Sequence, residues 1–356
     1  MSQEIYNTTL KLIRDQLNLL PRYCNEQNLC GLSIHHPMMM YSLYYIGASK
    51  ERIAEASEIY LKNMAKKVTK EVINFPQTVI DQQNYKNYLG KEEQFYNFLD
   101  FFQQEQSKFQ SSQEFLKYYL NQMQSFLYSE AFHCIIKLGF FLDMDLIDAY
   151  PQLLAYIAIS HFEMMKVDNS KQSLSISQII EKIVEKREHF EKVNFQGIII
   201  DRMKTIDSDQ IFRDILSHPV LYEGEKTQKE LLDFLIKIYW QTSNFTVMHG
   251  FNSFLSFQSI LSLMDDEKQA FQSYFTGLIC ALLTTFRFFD YSNIIKQIND
   301  IKIQENIPSF EEIFKKVALS NDDHDAKTVY ALHKQQLKNP DNKLFQQKAA
   351  QIAKLI

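Results

Sequence analysis

Histidines at four widely separated stations carry the most pointed chemistry in this chain. One of His35 and His36 opens an apolar run, Ile34-His35-His36-Pro37-Met38, that continues through Tyr41, Leu43 and Ile46 to Gly47-Ala48-Ser49. His133 sits within Ser129 to Gly139, His249 within Asn244 to Met264, and His324 within Asn321-Asp322-Asp323-His324-Asp325-Ala326-Lys327. A neutral imidazole nitrogen is the commonest protein ligand for a transition metal. Helical bundles assemble metal sites from side chains on facing helices, so ligands far apart in sequence are compatible with one centre. A lone buried histidine is more often a hydrogen-bonded core residue, and the four gain weight only together.

The last station adds a second kind of donor. His324 and Lys327 stand three residues apart and share a helical face, and Tyr330-Ala331-Leu332 directs that face inward. A lysine taken out of water gives up its charge readily, and its neutral amine can add carbon dioxide to become a carbamate, an anionic oxygen ligand. Asp323 or Asp325 could orient His324 through its other ring nitrogen. The same acidic turn also serves as an ordinary helix start, with Asn321 or Asp322 as the cap.

The elements that must hold these residues read as helices. Apolar positions run at helical spacing from Asn7 to Leu20, where Pro21 ends them; Gly47 stops the helix opened by the histidine pair, and Ser49 caps the next. Ser111 with Glu114, Ser175 with Gln178, Thr227 with Glu230 and Ser309 with Glu312 have capping-box spacing. Ser129 to Gly139 and Leu153 to Ile159 are apolar on nearly all sides and belong at a bundle centre. No convincing strand pattern and no internal repeat appear. The expected fold is all-α, a single large helical bundle over residues 1–356 with a metal site in its core. A polar stretch near 168–174 is the expected junction should the bundle divide into two halves.

Composition narrows the alternatives. A chain of 356 residues can bury about three-quarters of its unfolded surface, so its stability demands neither disulfide nor metal. With 8 Gly and 7 Pro it has few turn residues for a β or α/β protein, and neither GxGxxG nor GxxxxGK[ST] occurs to cradle a phosphate. GxSxG and HExxH are absent too. A net charge of -5 without a basic tract argues against nucleic acid. The uncharged stretch Gln269 to Phe286 holds Gln, Ser, Thr and Gly and reads as a buried helix rather than a membrane span. The start of the chain has no legible signal, so a cytoplasmic location is the expectation, with Cys24, Cys30, Cys134 and Cys280 as thiols.

Taken in order, His35 through Gly47-Ala48, Asn84 through Gly90, Phe132-His133 through Gly139, the lone His249, and Asp322 or Asp323 with His324 and Lys327 resemble the questin oxidase-like family from about residue 30 to the C-terminal end. The distance to Gly47 selects His35 as the family histidine and makes His36 a packing or supporting neighbour. The chain departs from the pattern at Ile34, Tyr85, Asn252 and Lys137, which bears on the substrate more than on the metal.

The resemblance implies an α-helical oxygenase acting with O2 on a polycyclic aromatic or polyketide-like small molecule, by Baeyer-Villiger-type oxidation or ring opening. It implies non-haem Fe(II), or another divalent transition metal, held by His35, His133, His249 and His324 with carboxylated Lys327. Lys327 and Asp323 are the expected catalytic groups; a requirement for NADPH is left open. Five ligands leave one position of a six-coordinate ion vacant. Tyr41, Tyr45, Phe132, Trp240 and Phe251 are candidate pocket walls, as neighbours of the histidines. His161, His189, His218 and His333 are expected to be structural or surface residues. The competing reading is a non-catalytic helical scaffold or subunit that retains the fold. Against it, a protein freed of metal has no physical need for five polar groups in its core.

Overall fold

Short-range hydrogen bonds at the helix starts account for much of the architecture. In the computed structural model, which describes residues 2–17, 21–23, 32–65 and 77–356, Ser175 and Ser309 form reciprocal capping boxes with Gln178 and Glu312. Asn244 and Asp322 accept from backbone N–H groups one turn ahead. The fold is all-α. The one sheet among the described residues is a two-residue antiparallel pair, Arg22–Tyr23 with Leu32–Ser33, too short to show in a periodicity. Cys24 and Cys30 lie outside the described residues.

Two compact units divide the chain. The first takes Met1–Leu116, Lys137–Ile159 and Ile303–Ile356. Its helix Asp323–Lys338 packs on both His36–Tyr45 and Leu344–Ile352, Gln3–Arg14 packs on His36–Tyr45, and Phe95–Gln106 packs on Tyr150–Ile159. The second takes Lys117–Ile136 and Ser160–Lys302. There Phe245–Ile260 packs on Glu225–Thr242 and on Glu267–Leu283, and Ile199–Asp207 also packs on Glu267–Leu283. The polar stretch 168–174 lies inside the second unit, where Asp168 and Leu174 make backbone hydrogen bonds to Ser217 and Pro219.

Three helix boundaries differ from the sequence expectation. The first helix spans Gln3–Arg14, because the Ser2 hydroxyl caps it through Ile5 N–H and the chain turns at Asp15. Thr227 does not cap its helix; Gly224, at φ +64°, precedes the first turn at Glu225, and Thr227 accepts instead from Glu223 N–H. The third concerns Ser129 to Gly139, where the helix begins only at His133. Glu267–Leu283 is largely buried, and no single helix among the described residues is long and apolar enough to cross a membrane.

Candidate functional site

His35 is the residue on which helix His36–Tyr45 begins, with Pro37 in the first turn, where its missing N–H costs nothing. Its backbone N–H donates to the Tyr60 hydroxyl at 2.7 Å. The ring is buried, and Nδ1 donates to the Asp323 carboxylate. That carboxylate also receives Lys327 Nζ at 3.1 Å, one turn along the same helix. The His324 ring stands edge-on to His35, with centroids 4.9 Å apart, and its Nδ1 lies 3.2 Å from Asp322 Oδ1 and 3.4 Å from Asp323 Oδ1.

Burial governs the protonation of this group. It pushes His35 down to about 3, with Lys327 adding to the effect and Asp323 opposing it, so the imidazole is neutral. Burial lowers Lys327 against the pull of Asp323. Burial alone would raise Asp323, but Lys327 and His35 outweigh it and hold the carboxyl well below its usual range. An ionised carboxylate thus accepts from a neutral imidazole and a neighbouring amine. The ligand atoms of Asp322, Asp323 and His324 lie within 4.8 Å of one another.

In the second unit His133 and His249 form a pair of their own, with ring centroids 4.8 Å apart. Nδ1 of His249 donates to the Phe245 carbonyl at 2.8 Å, and Nδ1 of His133 donates to the Glu130 carbonyl. The latter bond is made by an unusual turn. Glu130, Ala131 and Phe132 have φ of +53°, +50° and +72°, all non-glycine and all buried. Left-handed conformations at such residues cost on the order of 1–3 kcal/mol each and cluster at functional sites. The sequence held no glycine or asparagine to announce this turn.

All four family histidines therefore share one feature: Nδ1 faces a carbonyl or carboxylate oxygen. This places the proton on Nδ1 and the lone pair on Nε2, and it is the supporting bond that ligating histidines generally have. Imidazole, carboxylate and lysine side chains are donor types suited to a divalent first-row metal.

Neighbouring residues take other roles. His36 points to Ser57, with Nε2 2.8 Å from its hydroxyl, and burial lowers it to about 4. Of the two carboxylates expected to orient His324, Asp323 lies 3.4 Å from its Nδ1, whereas Asp325 accepts from the Ser320 hydroxyl at 2.6 Å instead; Asp322 also bonds the ring. The Tyr41 hydroxyl donates to the Asp143 carbonyl and the Tyr45 hydroxyl bonds His333, while Phe132 and Phe251 are buried against Tyr274 and Tyr239. Lys137 is buried, with Nζ 4.5 Å from the Tyr156 ring centroid. His161, His189 and His218 bond Ser125, Asp209 and the Gln172 carbonyl.

Against models of known families, residues 33–332 match the questin oxidase-like family. The chain belongs to the questin oxidase-like family. The match contains all four histidines and Lys327. No curated protein matches the chain. Questin oxidase-like membership makes it an oxidoreductase at the level of the family and implies a small-molecule substrate.

Proposed function

We propose that this questin oxidase-like chain is a metal-dependent oxygenase that uses O2 to oxidise a polycyclic aromatic or polyketide-like small molecule. Its non-haem iron would be held by His35, His133, His249, His324 and Lys327. The single observation that supports this reading is the orientation of all four rings, each with Nδ1 directed at an oxygen. Bound iron(II) would supply the electrons that activate oxygen, which zinc with the same ligands could not. Asp323 keeps the proton on His35 Nδ1 and holds Lys327 in place. Lys327, whose neutral form burial favours, would add its nitrogen to carbon dioxide and lose a proton, giving the carbamate. An electron-rich ring or enolate is the substrate that such oxidation favours.

Elemental analysis of full-length protein purified with iron supplied tests the reading. Wild type is expected to hold stoichiometric iron, and His35→Ala, His133→Ala and Lys327→Ala to lose at least tenfold in metal affinity. Folded wild-type protein without stoichiometric transition metal overturns it. Metal binding that strengthens with bicarbonate supports the carbamate; indifference to bicarbonate makes Lys327 a partner of Asp323 only.

A further inference from the structure

Within the first unit, the helix capped by His35 and the helix carrying His324 and Lys327 share a cluster of tyrosines. Tyr330, one turn beyond Lys327 and buried, stands edge-on to Tyr45 with ring centroids 4.8 Å apart. Tyr45 is half-buried and leads to His333, whose Nδ1 lies 2.8 Å from its hydroxyl. A second branch runs from Tyr330 to Tyr41 at 6.0 Å, Tyr44 at 6.0 Å and Tyr6 at 5.2 Å.

Packing alone would be served by phenylalanine, since each buried hydroxyl needs a partner to offset its desolvation. Here the two leading phenols are paired with bases. Tyr330 donates to the Asp143 carboxylate, which also bonds Lys334 Nζ at 3.0 Å. Tyr45 faces His333, kept neutral by burial and by Lys334 and so able to accept. A phenol that loses an electron also loses its proton, and a base already within hydrogen-bond reach makes the two losses concerted. The second branch lacks this property: Tyr41 and Tyr6 donate to backbone carbonyls of Asp143 and Met144.

We propose that Tyr330, Tyr45 and His333 form a hole-transfer relay that carries oxidising equivalents from the His35–Lys327 region to the protein surface. The proposal rests on the oxygenase reading, in which O2 only partly reduced because substrate is missing, at the superoxide or peroxide level, is the one-electron oxidant. Tyr330 gives that oxidant one electron while its proton passes to Asp143. Tyr45 then returns an electron to the Tyr330 phenoxyl, which recovers the proton from Asp143. The Tyr45 proton passes to His333, leaving a neutral phenoxyl at Tyr45 and an imidazolium. A thiol or ascorbate-type reductant in solution restores Tyr45 with one electron as the proton returns from His333.

The test uses metal-free, full-length protein, so its outcome is independent of iron binding. Tyr330 is replaced by 3-aminotyrosine, a sink more easily oxidised than tyrosine, and a photo-generated ruthenium(III) polypyridyl complex in solution supplies the oxidant. Holes injected at the surface should collect at the buried position 330 as an aminotyrosyl radical seen by electron paramagnetic resonance. Tyr45→Phe should lower its yield at least threefold, and so should His333→Gln, which keeps Tyr45 and removes the base. Tyr118→Phe, at an exposed tyrosine, should leave the yield unchanged. Absence of the radical at 330, or equal yields with Tyr45→Phe and His333→Gln, overturns the relay.

Discussion

At Asp323 a single carboxylate receives both His35 Nδ1 and Lys327 Nζ, so one residue sets the tautomer of the first and the position of the second. The residue type was legible in the acidic turn, but its partner was not, because His35 lies 288 positions away in sequence. Lys348 shows the effect of burial on a second lysine. It is buried, donates to Gln351 at 2.8 Å, and burial pushes its pKa down to about 7. Between about 7 and its ordinary value of 10.5 the folded state leaves this amine neutral while the unfolded state binds a proton. Unfolding free energy therefore rises with pH across that window and is flat below it. Lys348→Met is expected to stabilise the protein at pH 7 by about 3 kcal/mol. Urea denaturation at pH 7 and 10 checks this, with a smaller difference between the two pH values in the variant.

Helix ends show which local rules carried. The Ser175 and Ser309 boxes form as their spacing foretold, because the bonding groups are three residues apart and need nothing else. Thr227 has the same spacing and fails, since Gly224 turns the chain earlier and the hydroxyl is taken by Glu223 N–H. The left-handed turn at Glu130–Phe132 leaves no local trace, because surrounding packing, rather than the propensity of those residues, holds it. Helix contact in the second unit offers a direct check. A Cβ at Gly277 would lie 2.3 Å from Tyr128 Cβ, whereas one at Gly250 would press on the Leu278 Cδ1 methyl at 2.7 Å and touch Leu235 Cδ2 at 3.9 Å. Gly277→Ala should therefore destabilise by roughly 1–3 kcal/mol, and Gly250→Ala by less, because a terminal methyl yields more easily than atoms near the backbone. Paired thermal denaturation of the two variants reads the order.

For the whole molecule, the first unit is assembled from three separate stretches of chain, the last being Ile303–Ile356. Helix Asp323–Lys338 supplies the surface on which His36–Tyr45 packs, so a chain ended after Lys302 loses more than the helices removed. Its helical circular dichroism should fall by more than the share of the deleted residues, and the sharp unfolding transition of the remaining first-unit helices should broaden. The sequence by itself determined the all-α class, most caps, the ordered histidine and lysine stations and membership of the questin oxidase-like family. These follow from contacts within a helical turn and from residue order, which need no knowledge of distant packing. Tertiary structure alone decided that His35 bonds Asp323 while His36 turns to Ser57, that Asp322 rather than Asp325 bonds the His324 ring, and that a strained turn precedes His133. The physical reason is that burial and long-range hydrogen bonds choose among locally equivalent side chains, and they exist only once the chain has folded.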